Sequence, residues 1–147
     1  MLPRWHVVLG AIFTSVIWIF APQVGIFYLL LIFAASFLID FDHYACFVMK
    51  TKKLSLKKSF SYHNKLIKKQ REEIKKGIKT KFPDFHLFHT IEFHVLIGLL
   101  GLLWTGFFYI FIGMLFHSLL DVIDLTRGGA MHVREFFFFK WFYNKIR

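Results

Sequence analysis

The chain has 147 residues and a formal net charge of +10; 56% of it is hydrophobic and 20% aromatic, including 21 phenylalanines. That length suits a single domain, and a composition at once so apolar and so basic argues against an ordinary soluble globular protein. The single cysteine, Cys46, excludes an internal disulfide and argues against a thiolate-based zinc site.

Residues 5–39 contain no Lys, Arg, Asp or Glu. This apolar stretch is too long for one crossing of a hydrocarbon layer about 30 Å thick. Ala21-Pro22-Gln23 interrupts it, and Pro22 cannot donate to a helical ladder. The predicted elements are therefore two helices, about 4–20 and 23–39, forming a hairpin. Arg4 gives a weak positive start, but no small-residue cleavage site follows. The stretch is expected to be mature membrane structure rather than a signal peptide.

Asp40, Asp42 and His43 come next, and then a strongly basic segment. Residues 50–81 hold thirteen Lys or Arg against only Glu72 and Glu73. Leu56, Phe60, Ile67, Ile74 and Ile78 form a loose apolar stripe within it. A helix lying on an anionic membrane surface and a solvated basic loop both fit this pattern.

A second apolar block runs from Val95 to Leu125, with a turn signal at Thr105-Gly106. The predicted helices are about 91–104 and 107–125. The tail is basic again, with Arg127, Arg134, Lys140, Lys145 and Arg147. Basic flanks favour the cytoplasmic side, so an even number of crossings should separate the two basic regions. The expectation is an all-α integral membrane protein, residues 1–147 as one domain. It has about four transmembrane helices in two hairpins, a basic loop between them, and both termini on the cytoplasmic face of the cell membrane.

Polar residues interrupt this apolar background at particular places. In GMLFHSLLDVIDL, residues 113–125, the spacing of His117, Asp121 and Asp124 puts all three on one narrow helix face. A carboxylate in such surroundings is costly unless it is paired or holds a metal. In HLFHTIEFH, residues 86–94, a helix would put His86, His89 and Glu92 on one broad face with His94 at its edge. His6 begins the first helix, and His132 and Glu135 follow the fourth. Two hairpins bring all of these to one membrane face. A single helix through 95–120 would instead hold His94 and His117 roughly 34 Å apart. Each group also has a plain structural interpretation, as an interfacial histidine, a polar helix end or a contact between helices. That interpretation is weakest for His117 with Asp121.

Histidine nitrogen and carboxylate oxygen without thiolate suit zinc, manganese or iron. About eight such ligands could hold two or three divalent ions, with Asp121 as a bridging carboxylate. Two ions together can hold the attacking and leaving oxygens of a phosphoester. Asp121, Asp42 and Glu92 are the candidate catalytic carboxylates. His86, Asp124, His132 and Glu135 are additional candidate ligands, and Arg127 and Arg134 candidate phosphate-binding residues.

Four motifs in order carry a resemblance. His6 with Gly10, Asp40 with Asp42 and His43, His89 with His94, and His117 with Asp121 resemble the motif series of the YdjM-type membrane-bound, metal-dependent hydrolases. Thr126 and Gly129 follow at about the expected distance. That family is similar in its motif arrangement to zinc-dependent phospholipase C and single-strand zinc nucleases. The resemblance implies phosphoester hydrolysis by a metal-bound hydroxide. It also implies that His6, Asp40 or Asp42, His43, His89, His94, His117 and Asp121 are the ligands, with zinc the foremost ion. Thr90 stands where that family usually has Arg, Ile39 where it has Pro, and Glu92 adds a carboxylate.

The expected function is thus a membrane-bound hydrolase of a lipid or lipid-linked phosphoester, with membrane lipid and an anionic, phosphate-containing substrate as partners. Nucleic acid is disfavoured as a partner, because it leaves the apolar blocks unexplained; a homo-oligomer stays open. One alternative is a metal-ion transporter or sensor. Another is a basic membrane protein that binds nucleic acid or a partner through 50–81, with a purely structural His/Asp cluster.

Overall fold

The computed structural model describes residues 3–78 and 84–147, and among them there are only helices, turns and loops. The chain opens with α1 (Pro3–Phe20), whose first residue is a proline, well suited to a first helical position where its missing N–H costs nothing. The chain reverses over 21–25, where Val24 N donates to the Ala21 carbonyl at 3.0 Å, and returns as α2 (Ile26–Leu38). After a bend of 41° it continues as α3 (Phe41–Thr51). Lys52, at φ 57°, ends α3 in the left-handed conformation.

The basic segment is helical for most of its described length: α4 (Leu56–Lys75) is capped by Ser55, whose Oγ accepts from Lys58 N at 3.4 Å. Residues 79–81 of the expected loop lie outside the described residues. A 3₁₀ turn at Leu87–His89 leads into α5 (Ile91–Leu100), where the Thr90 hydroxyl accepts from Phe93 N at 3.3 Å. A tight turn at 101–104 joins α5 to α6 (Thr105–Arg127). A second 3₁₀ turn at Met131–Val133 precedes α7 (Phe138–Ile146), a helix not foreseen from the pattern.

α2 lies at the centre, packed by α1 and α6, and α5 packs on the far side of α6. Glycines permit the close approach on both sides of α2. A Cβ on Gly10 would fall 2.0 Å from Ser36 Oγ, and one on Gly113 would fall 2.3 Å from the Ile32 carbonyl oxygen. Small residues at helix crossings are the usual means of tight packing in lipid, where apolar burial does not drive helices together.

The interior is unusually polar. Among the described residues, eleven polar or charged residues are buried against eight apolar ones. Meanwhile Trp18, Ile19 and Phe20 are 60–82% exposed, and Leu102 and Leu103 more so. In water this distribution would be unfavourable by roughly 25 cal/mol for each Å² of apolar surface left exposed; in lipid it is the expected one. α1 and α6 are each long and apolar enough to cross a membrane, and the bent pair α2–α3 would make a third crossing. The chain is therefore read as membrane-associated, with two or three candidate spans. At ten residues α5 is about 15 Å long, half the hydrocarbon thickness, because the helix expected through residue 104 ends at Leu100.

Candidate metal centre

α6 brings His117 and Asp121 to the packed side of the bundle, where both are buried. The His117 Nδ1 lies 2.9 Å from the carbonyl oxygen of Ser36 on α2. A carbonyl only accepts, so Nδ1 carries the proton and Nε2 presents a lone pair. His89, turned inward by the 3₁₀ turn, is held in the same way: its Nδ1 donates to Asp42 Oδ2 at 3.0 Å. Asp42 is oriented in turn by Phe88 N at 3.1 Å. An acceptor behind the imidazole that fixes tautomer and ring direction is the usual support for a metal-ligating histidine.

The two Nε2 atoms are aimed at each other, 3.2 Å apart. A proton on His89 Nε2 closes this contact as a hydrogen bond, and against the cost of burial the Asp40 and Asp42 carboxylates raise the His89 pKa; a metal ion would take the same position. Ligands at about 2.05 Å from zinc, subtending a tetrahedral angle, are about 3.3 Å apart, so the spacing fits. Two carboxylates complete the surround. Asp40 Oδ1 is 3.5 Å from both nitrogens. Asp121 Oδ2 is 3.5 Å from His117 and 3.8 Å from His89. Four donor atoms from three separate segments (the bend at Asp40, the 3₁₀ turn at His89, and α6) thus converge here, and imidazole nitrogen with carboxylate oxygen is a donor set that fits a zinc ion.

Further ligands extend the cluster on both sides. His6 Nε2 is 3.2 Å from Asp121 Oδ1, its ring stacks on His117 at 3.9 Å, and its buried Nδ1 has no hydrogen-bond partner. On the other side His43 Nε2 is 3.4 Å from Asp40, and its ring lies 3.7 Å from that of His86. His86 Nδ1 is 3.6 Å from Asp42 Oδ1, an oxygen that accepts no hydrogen bond. Burial pushes the His86 imidazole down to about 4, so at neutral pH the ring is neutral and one of its two nitrogens presents a lone pair. Three-residue groupings able to hold an ion are His6/Asp40/His117, Asp40/His43/His89, Asp42/His43/His86 and His89/His117/Asp121. Because Asp40 belongs to two of them, a bridging role suits it as well as Asp121.

Two sequence-based expectations need correction. His94 is not brought into the cluster: its Nδ1 is 2.8 Å from the Thr90 carbonyl oxygen and its Nε2 2.9 Å from Ser118 Oγ. Thr90 breaks the 3₁₀ turn from α5, so His89 and His94 do not share a helix and face different neighbours. Glu92 is not catalytic in position. Its carboxylate accepts from Phe138 N at 2.9 Å and Phe139 N at 3.3 Å, capping α7.

A cavity of about 400 Å³ opens beside the cluster, lined on one side by Asp40, His43, His86 and Asp121. Arg134 lines it too, and its Nη1 donates to Asp121 Oδ2 at 2.7 Å. Asp124, at the cavity wall, is 3.8 Å from Arg71, and Glu135 also lines the wall. His132 and Arg127 are exposed, and neither lines the cavity. His63, Lys68 and Arg71 of α4 are not among the expected site residues, because the segment reads as a membrane-surface helix or a solvated basic loop. His63 Nε2 lies 2.9 Å from the His43 carbonyl oxygen and fastens α4 to the cluster; Lys68 and Arg71 line the cavity. Their one-turn spacing along a helix is the signal that could have found them.

Comparison with known proteins finds no matching family model, no matching curated protein and no matching solved structure.

Proposed function

We propose that this chain is a membrane-embedded, metal-dependent hydrolase of a lipid or lipid-linked phosphoester, akin to the YdjM-type hydrolases its motif order resembles. The observation that carries the proposal is the convergence of His89 Nε2 and His117 Nε2, 3.2 Å apart, with Asp40 and Asp121 carboxylate oxygens beside them. His6 extends this position towards Asp121, and His43 with His86 and Asp42 extends it towards Asp40, which makes room for two or three divalent ions. Zinc suits the donor set best, and manganese or iron also match imidazole and carboxylate. Such ions, when bound, lower the pKa of water and neutralise phosphate charge.

The chain's own residues supply the rest. Asp42 and the Ser36 carbonyl keep His89 and His117 in one tautomer each. Arg134, beside Asp121, is within the cavity and suits a phosphate oxygen, which guanidinium binds in bidentate fashion. Phe85 and Trp141, stacked at 4.0 Å, line the same cavity and offer an apolar surface to the lipid part of a substrate. We take α5 and α6 as a hairpin partner to α1 and α2, with the site and the basic segment at the cytoplasmic face of the cell membrane.

The test is hydrolysis of p-nitrophenyl phosphate and bis-p-nitrophenyl phosphate by the zinc- or manganese-loaded protein in detergent. Turnover of at least one, lost on chelation and in Asp40→Asn, is expected. No turnover of either by protein carrying two ions per chain would contradict the proposal.

A further inference from the structure

The cavity has a second wall whose residues have no task in the hydrolysis outlined above. Asn64, Ile67, Lys68 and Arg71 line it from α4, and their spacing of i, i+3, i+4 and i+7 is a single helical stripe. Of the seven Lys and Arg within α4, only Lys68 and Arg71 line the cavity. α4 is held in this pose by His63 on the His43 carbonyl and by Tyr62 against Phe47, rings 5.6 Å apart. Arg71 reaches Asp124 only at 3.8 Å, and Lys68 makes no ion pair with any described residue.

Charge along the lining decides what the cavity can take. With neutral imidazoles and Asp84 paired to Lys50, Asp40, Asp121, Asp124 and Glu135 outweigh Lys68, Arg71 and Arg134 by one negative charge, and two divalent ions turn that into three positive charges. Anion binding therefore depends on the ions, and once they are bound the cations stand on two separate walls. Arg134 is on the metal side with Asp121; Lys68 and Arg71 are on α4. A cavity of about 400 Å³ is in the range that holds drug-sized ligands, more than one phosphate fills. One phosphate held at the metal ligands and Arg134 leaves Lys68 without a counter-charge and Arg71 with only the long contact to Asp124.

We infer that Lys68 and Arg71 form a second-anion subsite, so that the substrate carries a further anionic group besides the phosphoester held at the His/Asp cluster. This rests on the hydrolase proposal. Asn64, one turn away on the same stripe, supplies an amide for the same group. The pair are specificity-determining residues, which act on substrate choice rather than on the metal ions.

Two matched probes test it, glycerol 3-phosphate with one anionic group and 3-phosphoglycerate with a carboxylate added. Binding of each to the zinc-loaded, detergent-purified full chain is measured by calorimetry, with bound zinc counted alongside. Charge-assisted hydrogen bonds predict that 3-phosphoglycerate binds at least about tenfold tighter. Lys68→Gln/Arg71→Gln should remove that preference, weakening glycerol 3-phosphate less than about threefold and leaving bound zinc as in the wild type. Lys68→Arg/Arg71→Lys should keep it. Equal affinity for both probes in the wild type, or a preference that survives the glutamine variant, overturns the subsite. Zinc-loaded protein that binds neither probe overturns the hydrolase proposal itself, and the subsite with it.

Discussion

His89 and His117 direct their Nε2 atoms at each other across 3.2 Å, while each ring's Nδ1 is engaged behind it, by Asp42 and by the Ser36 carbonyl respectively. The pair is therefore poised for a cation, and folding should be linked to metal. A ligand that binds only the folded state at 100 times its Kd adds about 2.7 kcal/mol, which for a chain of this size is a Tm rise of about 5–10 °C. Thermal unfolding in detergent with zinc and with chelator should differ by that much in the wild type. In His117→Ala the difference should vanish; an equal rise in both would contradict the linkage.

Gly10 touches this centre indirectly. A methyl group there would meet Ser36 Oγ at 2.0 Å, and Ser36 supplies the carbonyl that orients His117. Gly10→Ala should cost about 1–3 kcal/mol by overpacking and lower bound zinc as well. Removing the hydroxyl in Gly10→Ala/Ser36→Ala should recover part of both losses. Unfolding and zinc measurements on the three proteins decide this, and an innocuous Gly10→Ala would refute the close α1–α2 contact.

Arg134 holds Asp121 Oδ2 at 2.7 Å. The same guanidinium is proposed to bind the substrate phosphate, and losing a hydrogen bond to a charged group costs about 1.5–3 kcal/mol. Arg134→Gln should therefore lower kcat/KM for p-nitrophenyl phosphate by roughly ten- to a hundredfold, while zinc per chain stays at the wild-type level. Zinc loss instead would make Arg134 a structural support of the ligands rather than a substrate contact.

Glu92 should behave as a cap. Glu92→Gln is expected to leave zinc content and hydrolysis within about twofold, and to weaken α7 by about 0.5–2 kcal/mol, the usual worth of a cap. Hydrogen exchange at residues 138–146 would register that loosening. A hundredfold loss of turnover would restore Glu92 as a catalytic carboxylate.

Much of the site was legible because lipid makes polar residues conspicuous. His117 and Asp121, set in an apolar helix at i and i+4, could be placed on one face from spacing alone, and Pro22 marked the reversal that brings His6 near Asp40. What spacing could not show was the break at Thr90. A hydroxyl cap there ends one element and starts another, so a periodicity carried straight through 86–94 put His94 and Glu92 on the wrong surface. His86, weighed only as an addition, lies in contact range of His43 and Asp42, because the chain before the 3₁₀ turn passes over α3. α4 was the larger gap. A lysine-rich segment with a loose apolar stripe reads as a membrane-surface helix or a solvated loop, and only tertiary packing through His63 reveals that one of its faces closes the cavity.

The most direct measurement is metal content per chain, by mass spectrometry of the detergent-purified protein, for wild type and His117→Ala/Asp121→Ala. Two or three equivalents of zinc or manganese, largely lost in the double variant, is the expected result. Less than about half an equivalent in both, after metal has been supplied, would contradict a metal centre, and the opposed histidines would then be polar contacts between helices.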